Sequence, residues 1–480
     1  MEESDTSIII SDQVTVNKTT TPLTLTADGK LRWTDRGQRC LTVEKQVLGF
    51  VIEGTKIRIK AILDKEDVIS CGGTTDTLIR NDFVFQPQNE ESQRVLCHHL
   101  RDYLDSLARP KRLLIFVNPF GGKKSASKIF VDDVKPLLED ADVQITVQET
   151  KHQLHAKEVT RGLDLSKYDG IVCVSGDGVL VEVVNGLLAR EDWRDAIKMP
   201  LGMVPAGTSN GMAKSLLDSV GEPCKASNAV LSIIRGHRRS LDVATVLQGE
   251  TKFFSVLMFS WGMIADIDIE SEKYRWMGSA RMDFYALQRI IHLRHYNGCI
   301  AFVPAPGYES YGEPITYSSV SPSNSEQPLK IQHGYPGPDV DLNNFDWRMI
   351  SGPFVSVWLH NVPWGGEDVM AAPHAKFSDG YLDLILMQDC PKLSLLAMMT
   401  GLKNGDHIKS PYVIYLKVKA FILEPGPRVD DPAKGGIIDV DGEVLCRGNG
   451  SYKCDQKTLM NYDKLQLTID QGLATLFSPL

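Results

Sequence analysis

Four apolar runs, interspersed with helical stretches, occupy the middle of this 480-residue chain. The runs are KRLLIFVN, VQITVQ, DGIVCVS and AIKMPLGMVP, and the helical patterns include VLVEVVNGLL, SNGMAKSLLDSV and ASNAVLSIIRG. Apolar strands that alternate with helices are typical of a parallel sheet buried on both faces. The pattern predicts a doubly wound α/β domain over residues 106–239.

The remaining sequence predicts two further regions, because a chain of this length exceeds one ordinary hydrophobic core. Residues 1–105 have the pattern of short strands, including a hairpin at Glu53-Gly54, and form a β-rich region of unknown role. Residues 240–480 carry many strand patterns and one helical stretch, which predicts a mainly antiparallel β-sandwich. We interpret Phe253 to Ala265 as one buried strand. The insertion 303–346, rich in Pro, Ser and Gly, is expected to be mobile.

Composition excludes several classes of protein. A net charge of −9 argues against a nucleic-acid binder. Nine cysteines without a Cys-x-x-Cys pair predict reduced thiols rather than disulfides or a zinc site. The acidic N-terminus does not resemble a signal peptide, and no segment reaches the roughly 18–20 apolar residues that span a bilayer. We therefore expect a cytoplasmic chain.

Three glycine-bearing loops follow strands of the predicted α/β domain, at Asn118 to Gly122, Ser175 to Gly178 and Pro205 to Asn210. Ligands of a parallel α/β sheet bind at the carboxyl ends of its strands, so these loops should meet at one edge. Glycine backbones and small hydroxyls at helix N-termini suit phosphate groups. The three loops together predict a phosphate-binding cradle.

Asp177 is the candidate catalytic base, because it lies between Gly176 and Gly178 beside the predicted phosphate site. A hydroxyl group that attacks a γ-phosphoryl group needs such a carboxylate to accept its proton. The competing interpretation is a tight turn in which Asp177 caps the following helix.

Other phosphate motifs fit poorly. A Rossmann fingerprint would require glycine where the chain has Val181, and neither a P-loop nor a protein-kinase motif is present. Gly207-Thr208-Ser209-Asn210-Gly211 does match the nucleophile elbow of serine hydrolases. In that alternative Ser209 is the nucleophile, with His407 and either Asp379 or Asp383 as partners. A non-catalytic lipid-binding or scaffold protein is a further alternative.

Six segments resemble the sphingosine kinases, which belong to the diacylglycerol-kinase-like lipid kinases, and they occur in the same order. They are NPFGGKK, SGDGVLVEVVNGL, PAGTSNGMA, WGMIADIDIESEKYR, SDGYLDL and DVDGEVL, between about Lys111 and Leu445. The resemblance implies a nucleotide-binding domain, then a lipid-binding β-sandwich. It implies transfer of the γ-phosphate of Mg²⁺-bound ATP to the primary hydroxyl of a sphingoid long-chain base such as sphingosine, sphinganine or phytosphingosine. Ceramide kinase and diacylglycerol kinase, which share the loops, are the alternatives within this class.

The resemblance also assigns residues to ATP. The residues implied to bind or support the nucleotide are Asn118, Pro119, Phe120, Gly121, Gly122, Thr150, Gly176, Gly178, Glu182, Gly207, Thr208, Ser209, Arg275, Arg281, Asp441, Gly442 and Glu443. Phe120 departs from the family, which often has a basic residue there, so only backbone contacts are expected from it. Arginine suits the phosphates at 275 and 281, because its planar fork donates two bonds.

The lipid would contact a second set of residues. Ser175, Gly176 and Asp177 are implied near the head group, and Met263, Ile264 and Ile267 along the acyl chain. Asp268 matches the acidic residue that pairs with the amino group. A buried ammonium needs such a partner, whereas diacylglycerol carries no charge to pair.

The implied partners follow from this chemistry. ATP and a sphingoid-base lipid are the substrates, and the lipid requires transient association with the cytosolic face of a membrane. The sequence leaves open the organelle, the preferred base and the oligomeric state, a dimer included. The motif Ser378-Asp379-Gly380 is interpreted as structural.

Overall fold

The N-terminal part of the chain forms an antiparallel sheet followed by a helix. The computed structural model describes residues 7–64, 78–122, 124–278, 280–315, 334–452 and 458–479. The first seven strands lie in the order β4-β3-β2-β1-β7-β6-β5. Their bounds are β1 (Ile8–Val16), β2 (Thr19–Thr26), β3 (Lys30–Thr34), β4 (Gln38–Thr42), β5 (Val47–Glu53), β6 (Lys56–Asp64) and β7 (Leu78–Pro87). The short helix α1 (Val43–Gln46) joins β4 to β5, and α2 (Glu90–Ser106) follows β7.

The predicted hairpin is confirmed, since Glu53 pairs with Lys56 across the β5–β6 turn. Helix α2 was not predicted, because residues 1–105 were interpreted as strands alone. Its start has a recognisable signal: the Asn89 side chain accepts a hydrogen bond from the Ser92 N–H at 2.8 Å. Leu96, Leu100 and Leu104, spaced by four residues, bury one side of the helix against the sheet.

A parallel sheet forms in the middle of the chain, with strands in the order β9-β8-β10-β11. The strands are β8 (Arg112–Val117), β9 (Gln144–Glu149), β10 (Gly170–Ser175) and β11 (Leu201–Pro205). The accompanying helices are α3 (Ala126–Ile129), which continues through a π-helical turn (Phe130–Val134) into α4 (Lys135–Asp140), then α5 (His155–Arg161), α6 (Asp177–Leu188), α7 (Trp193–Ala196), α8 (Gly211–Asp218) and α9 (Ala226–Arg235).

The doubly wound fold is confirmed by the way β10 is buried. Ile171 and Cys173 pack in the core that contains α6 and α8. Val172 and Val174 point to the other face, where α4 and α9 pack. The predicted strand AIKMPLGMVP was too long: its first residues belong to α7 and the following turn, and the strand begins only at Leu201.

The strand β23 (Leu465–Phe477) ties the two halves of the protein together. Its end runs parallel to β11 with Leu476 beside Leu201, and its beginning pairs antiparallel with β20. Strand β12 pairs antiparallel with β23 along nearly its whole length. Phe477 packs so closely over Gly170 that a Cβ atom there would lie 2.5 Å from its ring. A strand from the second predicted domain thus extends the parallel sheet of the first, so the predicted boundary at residue 239 does not separate the two sheets.

The rest of the sheet is mainly antiparallel, as expected, in the order β22-β21-β14-β18-β19-β20-β23 with side pairings of β12, β13, β15, β16 and β17. The strands are β12 (Arg238–Gln248), β13 (Thr251–Ser255), β14 (Met258–Gly262), β15 (Tyr296–Pro304), β16 (Glu313–Pro314), β17 (Arg348–Ser351), β18 (Ser356–His360), β19 (Leu382–Met387), β20 (Ile414–Arg428), β21 (Ile437–Val440) and β22 (Glu443–Arg447). The helices are α10 (Met263–Glu270), α11 (Ala280–Ile291) and α12 (Lys392–Gly401). Segments of 3₁₀ helix cover Leu165–Lys167, Ser271–Met277, Leu342–Asn344, Leu402–Asn404 and Asp406–Lys409.

The prediction of one buried strand from Phe253 to Ala265 is wrong. The chain forms β13, turns, forms β14 and enters α10 at Met263. All of these pieces are largely buried, so an apolar run alone could not reveal the breaks between them. The predicted mobility of the insertion 303–346 stays a prediction, and residues 316–333 within it lie outside the described residues.

The N-terminal sheet packs against the α/β unit. Leu48 and Ile62 join the apolar core formed with α4 and α9. Lys60 forms an ion pair with Asp140 at the end of α4, with an Nζ–Oδ1 distance of 2.8 Å. Arg109 donates from its buried guanidinium to the backbone carbonyl of Glu44 at 2.9 Å. Apolar burial and polar contacts thus hold these two parts together.

We expect Lys417→Met to lower the free energy of unfolding by about 3 kcal/mol, because it leaves a buried carboxylate without its partner. Lys417 Nζ lies 2.8 Å from both Asp379 and the fully buried Asp383. Chemical denaturation at neutral pH measures the loss. The control is Lys409→Met, since Lys409 is largely exposed, and it should change stability by no more than about 0.5 kcal/mol. Adding Asp383→Asn to Lys417→Met should recover most of the loss. If Lys417→Met were as stable as Lys409→Met, the result would contradict the structural interpretation of the Ser378-Asp379-Gly380 motif.

Candidate functional site

A cleft of about 460 Å³ opens at the carboxyl ends of the parallel strands. The predicted site residues that line it are Asn118, Phe120, Gly121, Gly122, Thr150, Gly176, Asp177, Gly178, Glu182, Gly207, Thr208, Ser209, Asp268, Arg275, Arg281, Asp441, Gly442 and Glu443. Residues that sequence reasoning missed also line it, namely Lys151, His152, Gln153, Val179, Leu257, Met258, Ile269, Glu272 and Gly365. The cleft therefore brings together segments from both halves of the chain.

The three glycine loops meet at one edge, as predicted. A Cβ atom built on Gly207 would lie 2.2 Å from the Cα of Gly176. One built on Gly122 would lie 2.8 Å from the carbonyl carbon of Gly207. Side chains at these positions would push the loops apart, so glycine is required by the close approach of the backbones. Gly122 additionally has a φ of +52°, which glycine adopts readily.

The first loop is held by its own asparagine. The Asn118 Oδ1 atom accepts hydrogen bonds from the N–H groups of Phe120 and Gly121 at 3.0 and 3.2 Å. Pro119 belongs to the loop but does not line the cleft, and the Phe120 side chain is 60% exposed at its rim. This loop therefore offers fixed backbone groups, and no charged side chain, to a ligand in the cleft.

Asp177 begins α6 but caps a different helix. Its carboxylate accepts hydrogen bonds from the N–H groups of Gly211 and Met212, the first residues of α8, at 2.8 and 2.9 Å. Burial raises the pKa of this carboxyl group, and the two backbone hydrogen bonds partly oppose the rise. Asp177 therefore does not cap its own helix through its side chain. Its carboxylate instead connects the second loop to the end of the third. Ser175 is buried behind it and does not line the cleft.

Asn210 shapes the third loop, and sequence reasoning did not single it out. It has a left-handed backbone with a φ of +56°, and its side chain accepts a hydrogen bond from Gly207 N–H at 2.8 Å. Its Nδ2 donates to Glu367 at 2.6 Å. The Asn-Gly pair at 210–211 was the available signal, because asparagine tolerates this conformation better than other non-glycine residues.

Glu182 supports the loop after β9. Its two carboxylate oxygens accept hydrogen bonds from the N–H groups of Leu154 and Ala156, each at 2.9 Å. Burial raises the pKa of Glu182. This loop begins at Thr150, which is buried at the cleft, and continues to Gln153, which contacts Glu443 from the far end of the chain.

Two arginines face the glycine loops from α11 and the turn before it. Both are held by Glu272: Arg275 Nε lies 2.8 Å from one oxygen and Arg281 Nη1 lies 2.5 Å from the other. Because one carboxylate serves two guanidinium groups, the pair retains positive charge for an anion in the cleft.

Ion pairs hold helix α10 in place on the side that faces away from the cleft. Asp266 and Glu270 form ion pairs with Arg294 at 3.0 and 2.7 Å. Asp268, between them in sequence, instead lines the cleft. The buried ion pairs therefore set the rotation of the helix that presents Asp268.

Asp441 has its hydrogen-bonding capacity used within the protein. Its carboxylate accepts from the Ser255 hydroxyl and from the N–H groups of Val256, Leu257 and Met258 at 2.6–3.0 Å. Burial raises its pKa to about 6. The side chain thus shapes the β13–β14 turn, and the groups that this segment offers to a ligand are Gly442 and Glu443, whose pKa burial raises to about 7.

The three apolar residues predicted for the acyl chain do not line the cleft. Met263 packs with Ile290 and Leu395 beyond α10. Ile267 packs with Tyr285 of α11, and Ile264 packs in a separate small cluster. Their role toward a lipid remains a prediction.

The serine hydrolase alternative is wrong. Ser209 lines the cleft, but the hydrogen bonds of the described residues include none between it and a histidine. The His407 ring contacts the Ala371 carbonyl, while Asp379 and Asp383 are engaged by Lys417. The three members of the supposed triad therefore do not form a relay.

Comparison with known proteins connects this geometry to a family. Residues 112–246 match the family model described as the diacylglycerol kinase catalytic domain, and residues 341–459 match the YegS C-terminal NAD kinase beta sandwich-like domain. The chain is 64% identical to sphingosine kinase 1 of Arabidopsis thaliana, over 100% of this chain and 98% of that protein. It is 63% identical to sphingosine kinase 2 of the same plant, over 98% and 97%. Sphingosine kinase 1 of Homo sapiens is 33% identical, over 71% of this chain and 87% of that protein.

Gly207→Ala should weaken nucleotide binding at least tenfold, because the added methyl group would displace Gly176 and open the cradle. Titration with a fluorescent ATP analogue measures the affinity, and thermal unfolding monitors the fold. Gly162→Ala is the matched control, since a Cβ at Gly162 meets nothing within 4 Å and this residue lies outside the cleft. Unchanged affinity in Gly207→Ala would show that the loop contact is dispensable for phosphate binding.

Proposed function

The chain belongs to the sphingosine kinase family of ATP-dependent lipid kinases, and we propose that it transfers the γ-phosphoryl group of ATP to the primary hydroxyl of a sphingoid long-chain base. The products would be the 1-phosphates of sphingosine, sphinganine and phytosphingosine, which suit a role in lipid signalling. The observation that carries the proposal is the position of Asp177, at the junction of three glycine loops and on the wall of one cleft.

In our proposal ATP binds along the three loops. Backbone N–H groups of the loops and the N-terminus of α6 receive the phosphates, and Arg275 and Arg281 approach from the opposite wall. The substrate hydroxyl is placed beside Asp177, which accepts its proton as the oxygen attacks phosphorus. The hydrogen bonds from Gly211 and Met212 keep the carboxylate in place while leaving each oxygen a further lone pair.

Mg²⁺ accompanies ATP in this proposal, where it would offset phosphate charge. In the described ranges of the chain, no three Asp, Glu, His or Cys side chains converge so that they could hold a metal ion. The cleft carboxylates Asp177 and Glu182 are already engaged by backbone N–H groups. The residues do not constitute a protein metal site, so we assign no ligand and no step to one.

Charge supports an amine-bearing lipid over a neutral one. Asp268 presents a carboxyl group to the cleft from α10, and its surroundings are mostly protein rather than water. A positively charged amine would compensate the cost of burying this group, whereas ceramide and diacylglycerol bring no charge to it. We therefore propose Asp268 as the partner of the substrate amino group.

An exposed apolar surface supports transient membrane contact. No helix among the described residues is long and apolar enough to cross a bilayer. Helices α11 and α12 and the turn before α11 nevertheless expose large apolar side chains, namely Trp276, Phe284, Leu287, Ile291, Leu393 and Leu396. Beneath them lies the apolar packing around Met263 and Ile267. We propose that this surface, which we call the α11–α12 surface, rests on a membrane while the lipid enters.

The test of the function is a panel assay with labelled ATP and sphingosine, phytosphingosine, ceramide and diacylglycerol. We expect phosphorylation of the two free bases only, and we expect a chelator of divalent ions to abolish this phosphorylation.

Asp177→Asn should lower kcat by about 10²–10⁴ because the catalytic base is lost. Since the pKa of Asp177 is raised, wild-type activity should decline on acidification at a pH above the ordinary aspartate range near 4. Asp195→Asn, an exposed carboxylate on α7, is the control. Wild-type turnover by Asp177→Asn would refute the proposed role.

Replacing Leu393 and Leu396 by serine should weaken binding to phosphatidylcholine vesicles about tenfold, because 82% and 45% of these side chains are exposed on the α11–α12 surface. Co-sedimentation measures binding, and turnover of detergent-solubilised sphingosine should stay within about twofold. Ile52→Ser is the control, since Ile52 is 56% exposed on the N-terminal sheet. Equal vesicle binding by all the variants would show that a surface other than the α11–α12 surface contacts the membrane.

A further inference from the structure

A second carboxyl group lies behind Asp268, and neither the sequence motifs nor the comparisons assign it. Asp439 on β21 is fully buried beneath α10. One of its oxygens accepts a hydrogen bond from the Ser260 hydroxyl on the neighbouring strand at 3.2 Å. The other is buried and receives no hydrogen bond from an N–H or hydroxyl group of the described residues. The carboxyl group of Asp268 contacts Asp439 from the side of the cleft.

Two buried carboxylates in contact repel each other, so the pair needs a shared proton or a cation. Arg281 is the positive group that acts on Asp268, and it is paired at 2.5 Å with Glu272, whose negative charge also acts on Asp268. Asp441 and Glu443, which are both acidic, act on Asp439. Asp441 is satisfied by its own four hydrogen bonds and contributes no cation. Acidic groups therefore outnumber cationic ones around the pair, and an ammonium group would reduce this imbalance.

We propose that Asp439 and Asp268 form a two-carboxyl site that binds the ammonium group of the substrate and releases one proton as it does so. This inference rests on the proposed function. In the free protein one carboxyl group is protonated and hydrogen-bonded to the other. On binding, the ammonium nitrogen replaces that proton as the positive partner, both groups become carboxylates and the proton leaves to solvent, so charge is conserved. Because Asp439 is fully buried and does not line the cleft, it acts through Asp268 as a positioning residue for amine-bearing lipids.

The electrostatics of the pair agree with this geometry. Burial raises the pKa of Asp439 well above its usual range, and the neighbouring Asp268 raises it further. Burial likewise raises the pKa of Asp268, against the opposing influence of Arg281. Because protons compete with the ammonium group, affinity for an amine should increase as pH rises from mildly acidic values. A lipid without the amino group should show no such dependence.

The direct experiment is calorimetric titration of the full-length protein, without ATP, with a short-chain sphingoid base in two buffers of different ionisation enthalpy. We expect about one proton released per base bound by the wild-type protein near neutral pH. Asp439→Asn should lose the proton release and bind the base about tenfold more weakly, because the amide cannot become the second carboxylate. The N-acetyl derivative of the same base should bind both proteins equally. Asp463→Asn, an exposed carboxylate in the same half of the chain, is the control.

Folding of the variant has an independent readout. A carboxyl group whose pKa is raised on folding makes the folded state less stable as pH rises from its unfolded value toward its folded value. Removing that carboxyl group should therefore raise the thermal midpoint of Asp439→Asn above that of wild type at pH 8. A lower midpoint would contradict the repulsion on which the inference rests.

The outcomes separate this inference from the proposed function. If Asp268→Asn impairs base phosphorylation while Asp439→Asn releases a proton and binds like wild type, the two-carboxyl site is refuted and the kinase assignment stands. If Asp439→Asn instead raises the Mg²⁺ concentration needed for turnover with unchanged base affinity, the pair holds a metal ion and the inference is overturned. If the wild-type protein phosphorylates no sphingoid base, the proposed function itself fails.

Discussion

The carboxylate of Asp177 organises the cleft, because it binds two loops that are distant in sequence. Its hydrogen bonds to Gly211 and Met212 fasten the end of β10 to the start of α8. The glycine backbones of the second and third loops can then approach to distances that leave no room for a Cβ atom. Burying an acid normally costs free energy, and the unpaired N–H groups at a helix N-terminus offset that cost by donating hydrogen bonds to the carboxylate. A single group thus positions the loops, and in the proposed reaction the same group accepts the proton.

Carboxylates hold the other cleft segments in a similar way. Glu182 fixes the loop after β9, Glu272 fixes two arginines, and Asp441 fixes the β13–β14 turn. Glu182 and Asp441 accept hydrogen bonds from backbone N–H groups that would otherwise lack partners, whereas Glu272 pairs with guanidinium groups. At this site, these acidic residues therefore determine the shape of the cleft. The phosphates of a nucleotide would meet backbone N–H groups and arginines rather than these acids.

The sequence identified the loops and the fold class because their signals are local. A strand that ends at glycine before a helix can be recognised in a few residues, and the parallel arrangement brings such ends together. Two features were not local: β23 joins β11 across most of the second half of the chain, and the contact between Asp268 and Asp439 depends on α10 packing over β21. Helix α2 did have a local signal at Asn89, but it was overlooked among the strand patterns around it. The contact of Asp441 with the nucleotide stays a prediction. Its four hydrogen bonds from residues about 185 positions earlier could not be foreseen, because Asp-Gly is an ordinary turn signal.

The path of β23 also constrains the order in which the protein can assemble. The strand pairs with β11 of the parallel sheet and with β12 and β20 of the antiparallel sheet, yet it follows β11 by about 260 residues in the chain. During synthesis, when N-terminal segments emerge first, β11 is an uncovered sheet edge until β23 leaves the ribosome. Such an edge invites pairing with other chains. A truncated nascent chain would hence carry all three glycine loops on an incomplete sheet, and closure of that sheet is a late event in the biogenesis of the protein.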